Sequence, residues 1–294
     1  MHALSPIKSR SVYIRFILLM FILWGTGGCV ETQNLASLRE TAGDLHILFT
    51  SPRYPDDWAY HVGGLDETLA AAIDDAEQSV DVAAFDFDLA RVAEALIAAH
   101  EDGVRVRMVI DSDNADLEEI EALKRARIPI VEDERDALMH NKFVIIDGYE
   151  IWTGSWNLTD NGTYRNDNNV VVIHSRRLAE NYIAEFEEMF EDRAFGPSSP
   201  ANTPHPHVKV NGVPIENYFE PEENVRIRIL DLLNDAESSI MVMAFTLTDN
   251  DIAQALVRKG REGIPVQGVI ESRNIGGRGS DFEALQKAGE DINC

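Results

Sequence analysis

The chain has 294 residues, of which 45% are hydrophobic and 26% charged, a balance that is typical of a globular protein and excludes wholesale disorder. The formal net charge of −25, from 51 acidic and 26 basic residues, disfavours tight nonspecific binding of nucleic acids, because such binding depends on attracting phosphates. Only two cysteines occur, Cys29 and Cys294, which excludes a fold stabilised by a framework of disulfide bonds.

The first 28 residues have the pattern of a secretory signal. Basic residues between Lys8 and Arg15 precede the apolar run 16–24, which is too short to span a bilayer. Small residues then lead to Cys29, an arrangement that resembles a bacterial lipoprotein signal, although Thr26 stands where that pattern usually has leucine. We therefore expect removal of residues 1–28, lipidation of Cys29 and a tether over 29–44 that holds the protein in a bacterial cell envelope. An ordinary cleaved signal peptide and an uncleaved anchor are the alternatives.

Residues 65–131 alternate between helical and extended patterns. The apolar spacing predicts helices at 65–77, 89–100 and 117–126, and strands at 79–85, 104–110 and 128–131. This alternation favours an α/β domain in which helices cover a sheet.

The segment 138–157 carries the clearest chemical pattern. His140 and Lys142 lie two residues apart at a strand predicted over 142–146, so their side chains should face the same way. A neutral imidazole can attack a phosphodiester while a neighbouring ammonium neutralises the phosphate oxygens. Beyond a second strand at 150–153, Ser155 and Asn157 offer a hydroxyl and an amide to the same oxygens. We include Asp147 in the catalytic set, although its place at an Asp-Gly turn suits a structural or charge-balancing role.

The rest of the chain contains a linker and an internal repeat. A helix predicted over 178–190 is followed by the proline-rich segment 194–214, which suits a linker or a surface loop. Residues 76–112 align without a gap onto 236–272 at a constant offset of 160, with 14 of 37 pairs identical. Two similar domains are the simplest interpretation.

The spacing of His140, Lys142 and Asp147, with Gly154, Ser155 and Asn157 beyond, resembles the HKD motif of the phospholipase D superfamily and its GSxN extension. The resemblance implies tandem α/β sandwich domains, each a mixed sheet flanked by helices. It assigns residues 45–193 to a first domain with the motif, 194–214 to the linker and 215–294 to an incomplete second domain without it. It also implies a covalent phosphohistidine on His140, a second HKD histidine that protonates the leaving group, and no need for a metal or other cofactor.

An acidic residue beyond GSxN usually holds the other ring nitrogen of the nucleophile in this superfamily. Our alignment places Asn168 at that position, with Asp167 one residue away on the opposite strand face. We name both as candidates for orienting the histidine. The departure predicts weaker activation of the nucleophile.

The second repeat stops before a second motif. Its register places a second HKD histidine about eight residues beyond Cys294. We therefore interpret the chain as a fragment, with a site shared across a homodimer as the alternative.

Three functions are compatible with these sequence features. The leading one is a phospholipase D-like phosphodiesterase that hydrolyses or transfers phosphatidyl groups, with phospholipid as substrate and a lipid anchor in the membrane. An envelope endonuclease is the second, less favoured because no dense basic cluster occurs. The third is a catalytically inactive binding lipoprotein.

Overall fold

The computed structural model describes residues 44–277, 279–288 and 291–293. The predicted signal at 1–28, Cys29 and all but the last residue of the predicted tether lie outside the described residues. The described chain divides into two compact units between Glu223 and Asn224. The first unit therefore includes the whole predicted linker and reaches past residue 215, where we expected the second domain to begin.

A mixed seven-stranded sheet forms the centre of the first unit, in the order β1-β7-β6-β5-β2-β3-β4. Its strands are β1 Leu45–Phe49, β2 Ser79–Ala84, β3 Arg105–Ile110, β4 Ile130–Glu132, β5 Lys142–Ile146, β6 Glu150–Gly154 and β7 Asn169–His174. Strands β2, β3 and β4 are parallel to one another, whereas β5, β6, β7 and β1 pair antiparallel with their neighbours. A separate hairpin of β8 His207–Val210 and β9 Val213–Glu216 follows.

Helices cover both faces of this sheet. They are α1 Leu65–Asp74, α2 Ala90–Glu101, α3 Glu118–Arg125, α4 Asp160–Tyr164 and α5 Arg176–Phe190. Val80, Val82 and their neighbours on one face pack into the core with α1, α2 and α3. Alternate residues of a strand point to opposite faces, so Asp81 and Arg107 lie on the other side, where Arg107 forms an ion pair with Glu187 of α5 at 2.8 Å.

The α/β fold class is confirmed, and each predicted element occurs within three residues of its predicted ends. The predicted strand at 142–146 has the bounds that we expected. Within the part of the chain that the structure describes, no helix is both long enough and apolar enough to cross a membrane.

The second unit repeats the beginning of the first. Its elements are α6 Val225–Asn234, β10 Ile240–Ala244, α7 Asn250–Arg261, β11 Val266–Ile270, α8 Phe282–Ala288 and β12 Asp291–Asn293, with the three strands parallel. Val80 pairs with Val106 in the first unit, and Ile240 pairs with Val266 in the second, which keeps the offset of 160. The repeat found in the sequence is therefore also a repeat of strand register.

Candidate active site

Strand register brings the motif to one edge of the sheet. Ala84 at the carboxyl end of β2 pairs with Ile110 of β3 on one side and with Lys142 of β5 on the other. Gly154 at the end of β6 pairs with Val170 near the start of β7. The residues just beyond these ends therefore meet at the edge where open α/β sheets commonly bind ligands.

His140 and Lys142 meet on the aromatic ring of Phe85, which follows β2. The ring centroids of His140 and Phe85 are 4.8 Å apart, and the Lys142 Nζ lies 5.1 Å from the Phe85 centroid. The Nζ also donates a hydrogen bond to the backbone carbonyl of His140 at 2.9 Å. His140 precedes β5, which begins only at Lys142. The shared ring shows that the two side chains still converge.

The local environment lowers the pKa of both groups. Partial desolvation lowers the pKa of His140 below its usual 6.5, the charge of Lys142 lowers it further, and the charge of Asp111 opposes both. Desolvation also lowers the pKa of Lys142 to about 8, against the opposing charges of Asp86 and Asp111. At pH 7 the imidazole is therefore mostly neutral and the ammonium mostly charged, the pair of states that nucleophilic attack on a phosphodiester requires.

Asp111 holds the backbone next to His140, and the sequence analysis did not predict it as a site residue. It follows β3, is 2% exposed, and accepts the backbone N–H of Met139 at 2.7 Å through Oδ2. Its other oxygen accepts the backbone N–H of Asp113 at 3.0 Å. The corresponding Glu271 of the second unit accepts the N–H of Arg273 at 3.2 Å. A carboxylate at the end of a buried strand was the available signal.

Ser155 and Asn168 are joined directly. The Ser155 hydroxyl donates to the Asn168 Oδ1 at 3.0 Å and accepts the backbone N–H of Asn169 at 3.1 Å. Gly154 must lack a side chain, because a Cβ there would lie 2.2 Å from the carbonyl oxygen of Asn169. The close approach of β6 and β7 therefore explains the glycine of the GSxN pattern.

Asn157 and the two candidate orienting residues have different surroundings. Asn157 has a side-chain oxygen that is buried without a hydrogen-bond partner in the described structure. Asn168 donates its amide to the carbonyl of Gly162 at 2.8 Å as well as accepting from Ser155. Its amide is therefore engaged by Ser155 and Gly162 rather than by His140. Asp167 is exposed.

Asp147 lies at the opposite end of β5 from His140. Its carboxylate accepts the backbone N–H groups of Glu77, Gln78 and Ser79 at 2.9, 2.7 and 2.9 Å. Its backbone is left-handed, with φ 53°, at the turn that precedes β6. Asp147 therefore fixes the β5–β6 turn to the start of β2, and the structure does not bring it to His140.

Comparisons with known proteins match the part of the chain that contains these residues. Residues 69–190 match the family described as cardiolipin synthase, PLD-like domain. The chain is 37% identical over 122 residues to a phospholipase D of Rickettsia felis, a match that covers 41% of this chain and 61% of the relative. It is 32% identical over 119 residues to a mitochondrial cardiolipin hydrolase of Xenopus tropicalis, covering 40% of this chain and 57% of the relative. The chain thus spans less than two thirds of the curated relatives that it matches.

A solved structure shares the fold. The phosphatidylserine synthase of Haemophilus influenzae superposes with a TM-score of 0.55 over 80% of this chain and 64% of its own, at 10% identity. That likeness concerns the fold alone. Taken with the HKD and GSxN residues at the sheet edge, the matches support the assignment of residues 69–190 to the phospholipase D superfamily.

Proposed function

We propose that the chain is a phospholipase D-like phosphodiesterase that acts on phospholipid headgroups, with His140 as the nucleophile. The observation that carries the proposal is the convergence of His140 and Lys142 on Phe85, where the imidazole is mostly neutral and the ammonium mostly charged at pH 7. The two relatives are a phospholipase D and a cardiolipin hydrolase, which supports a phospholipid as the substrate.

The proposed reaction has two displacements. A ring nitrogen of neutral His140 attacks phosphorus, the bond from phosphorus to the headgroup oxygen breaks, and a phosphohistidine forms while a general acid protonates the leaving oxygen. Water then attacks phosphorus and gives its proton to the conjugate base of the general acid. The bond from phosphorus to the His140 nitrogen breaks, which restores His140 and releases phosphatidic acid. Lys142 neutralises the phosphate oxygens in both steps, with the Asn157 amide as a neutral donor. The Ser155 hydroxyl becomes a second donor when it turns from Asn168 to the phosphate. An alcohol in place of water would give transfer.

The general acid is the part of this scheme that His140 cannot supply while it acts as the nucleophile. In the superfamily a second HKD histidine has that role. His140 of a second copy of the chain is one source of it. General acid assistance contributes about 10²–10⁴-fold, so we expect a preparation in which the second histidine is absent to be slow by that order.

We further propose that Cys29 is lipidated and holds the enzyme next to its substrate in a bacterial cell envelope. The basic and apolar pattern of residues 1–28 supports this. Replacing Cys29 by serine should release the protein from membranes or leave the signal uncleaved. Unchanged attachment with normal processing would contradict the proposal.

Activity on two substrate classes tests the proposed function. The purified full chain is incubated with labelled phosphatidylcholine, with cardiolipin and with single-stranded DNA. We expect headgroup release from lipid that His140→Ala abolishes. His207→Ala is the matched control, because His207 is an exposed histidine on β8 outside the site. Cleavage of DNA without lipid hydrolysis would favour the endonuclease, and no turnover of either would favour the inactive binding protein.

A further inference from the structure

Exposed apolar side chains of the first unit are concentrated near one segment. Among the described residues up to 223, the large apolar side chains that are exposed are Phe49, Tyr54, Trp58, Tyr60, Val62 and Leu138. Five of these six lie within residues 49–62, the segment that ends β1 and leads towards α1, which we call the aromatic loop. The sixth, Leu138, lies two residues before His140. Such a cluster usually marks an interaction surface.

The aromatic loop is fixed to the site, because it is bonded to the segment beyond GSxN. The Thr50 hydroxyl accepts the backbone N–H of Asn168 at 2.6 Å, and Asn168 in turn accepts from Ser155 at 3.0 Å. His61 contacts Asp160 at 2.8 Å and stacks on Tyr164 with 4.5 Å between the ring centroids. The exposed rings are therefore presented by an anchored loop on the side of the site that carries Ser155.

We propose that the aromatic loop docks on the headgroup–acyl boundary of a phospholipid bilayer and so presents the site to lipid substrate. Tyr54 is 81% exposed and Trp58 is 68% exposed. Tryptophan and tyrosine suit this boundary because an apolar ring can enter the acyl region while its polar edge stays hydrated. The inference rests on the proposed function for its choice of partner, but docking itself needs no catalysis.

Contacts within the aromatic loop favour a lipid surface over a nucleic acid. Arg165 lies 5.1 Å from the ring centroid of Trp58, and Arg53 lies 4.6 Å from that of Tyr60, so a guanidinium covers one face of each ring. Arg165 is also ion-paired with Asp56 at 2.6 Å, so its charge is balanced by the loop and is not offered to a nucleic-acid backbone. A base-stacking platform would instead combine open ring faces with a basic groove. Arginine beside an aromatic ring is compatible with lipid headgroups.

Fluorescence quenching reads the position of Trp58 directly. The full chain carries Trp24→Phe, so Trp58 is the exposed tryptophan, while Trp152 and Trp156 are buried. It also carries His140→Ala, which prevents turnover. The probe is vesicles of phosphatidylcholine brominated on the upper acyl chain. We expect loss of Trp58 emission relative to unbrominated vesicles, little affected by salt, and no such loss in the Trp58→Phe version. Equal emission on both lipids, or failure of the protein to sediment with vesicles, would overturn the proposal.

A matched pair of variants tests the surface without spectroscopy. Removing Tyr54 and Trp58 by alanine substitution should weaken partition onto phosphatidylcholine vesicles by about tenfold or more, because each ring loses its apolar burial. Phe245→Ala, which removes a 74% exposed aromatic residue of the second unit, should leave partition unchanged. An equal loss in both variants would refute a specific surface.

Membrane docking by the aromatic loop can be tested independently of the proposed phosphodiesterase activity. If Trp58 is quenched but the chain with His140 intact hydrolyses no phospholipid, the docking surface is retained and the proposed phosphodiesterase activity is rejected. If the parent chain hydrolyses phospholipid but Trp58 is not quenched, the proposed activity is retained and the docking surface is rejected. Quenching of Trp58 by an oligothymidylate in the absence of vesicles would overturn the lipid assignment in favour of nucleic acid.

Discussion

Asp111 accepts the backbone N–H of Met139 at 2.7 Å and thereby holds the residue immediately before His140. The contact joins the end of β3 to the segment that leads into β5. The charge of the same carboxylate raises the pKa of His140 and of Lys142, opposing their desolvation. Asp111 is thus a positioning residue for the proposed catalytic pair, and its charge partly offsets the lowering of both pKa values by desolvation.

Asp111→Asn should lower kcat/KM by about 10–100-fold, because the backbone before His140 loses its anionic acceptor and the histidine is misplaced. Loss of the charge should also move the alkaline limb of the pH–rate profile to lower pH, since the pKa of Lys142 falls further. Asp113→Asn, at an exposed carboxylate two residues along, is the control. A lowered rate with an unshifted alkaline limb would mean that Asp111 is only structural.

The pH–rate profile of the parent chain should be bell-shaped if it has the proposed activity. Activity should rise with pH as His140 loses its proton, with a midpoint below 6.5, and fall as Lys142 loses its charge near pH 8. The Lys142→Arg variant should turn over substrate slowly. Because arginine stays charged, the pH–rate profile of this variant should show no alkaline limb up to about pH 10. The assignment of that limb to Lys142 fails if it stays in place in the arginine variant.

Asp147→Ala should reduce stability with little effect on kcat at temperatures where the protein is folded. Its carboxylate accepts three backbone N–H groups, and a hydrogen bond to a charged group contributes about 1.5–3 kcal/mol. Alanine is also disfavoured in the left-handed backbone at φ 53°, whereas asparagine tolerates it. The Tm should therefore be highest in the parent protein, lower in Asp147→Asn and lowest in Asp147→Ala. A loss of kcat as large as that of His140→Ala would show that Asp147 belongs to the catalytic set.

The buried carboxylate of Glu185, which contacts the motif through Asn141, should make the free energy of unfolding fall as pH rises. Glu185 of α5 is 7% exposed and accepts the side-chain amide of Asn141, between His140 and Lys142, at 2.9 Å. Desolvation raises its pKa to about 8, with further contributions from Glu222, Glu188 and Glu223. The folded state therefore binds more protons than the unfolded state between about pH 4.5 and 8, so this group's contribution is lost as pH rises through that window.

Glu185→Gln removes that proton uptake and keeps an acceptor for Asn141. The fall in Tm between pH 5 and pH 8 should be smaller by several degrees in this variant than in the parent protein. Glu101→Gln, at an exposed carboxylate that ends α2, should leave the difference unchanged. The same pH dependence in all three proteins would show that Glu185 is ionised in the folded state.

The sequence allowed the order of elements and the motif to be predicted, because both depend on local patterns. Alternating periodicity identified β2, α2 and β3, and the gap-free repeat predicted a second copy that the structure shows with the same strand register. Spacing of two residues predicted that His140 and Lys142 act together, and their shared contact with Phe85 agrees.

Contacts distant in sequence could not be predicted in this way. Asp111 acts on Met139 across 28 residues, and Asp147 accepts from Ser79 across 68. Both interactions depend on the pairing of β2 with β5, which no local pattern specifies. The aromatic loop was missed for a different reason. Aromatic residues in a short segment look the same whether they are buried or exposed, and only the fold distinguishes the two.

Trapping the covalent intermediate would identify the nucleophile itself. The full chain is mixed with phospholipid, quenched within one turnover, digested with trypsin and analysed by mass spectrometry. We expect a phosphatidyl adduct on His140, in the peptide of residues 136–142, and no such adduct in His140→Ala. Turnover of phospholipid without that adduct, or an adduct that persists in His140→Ala, would contradict the assignment of His140 as the nucleophile.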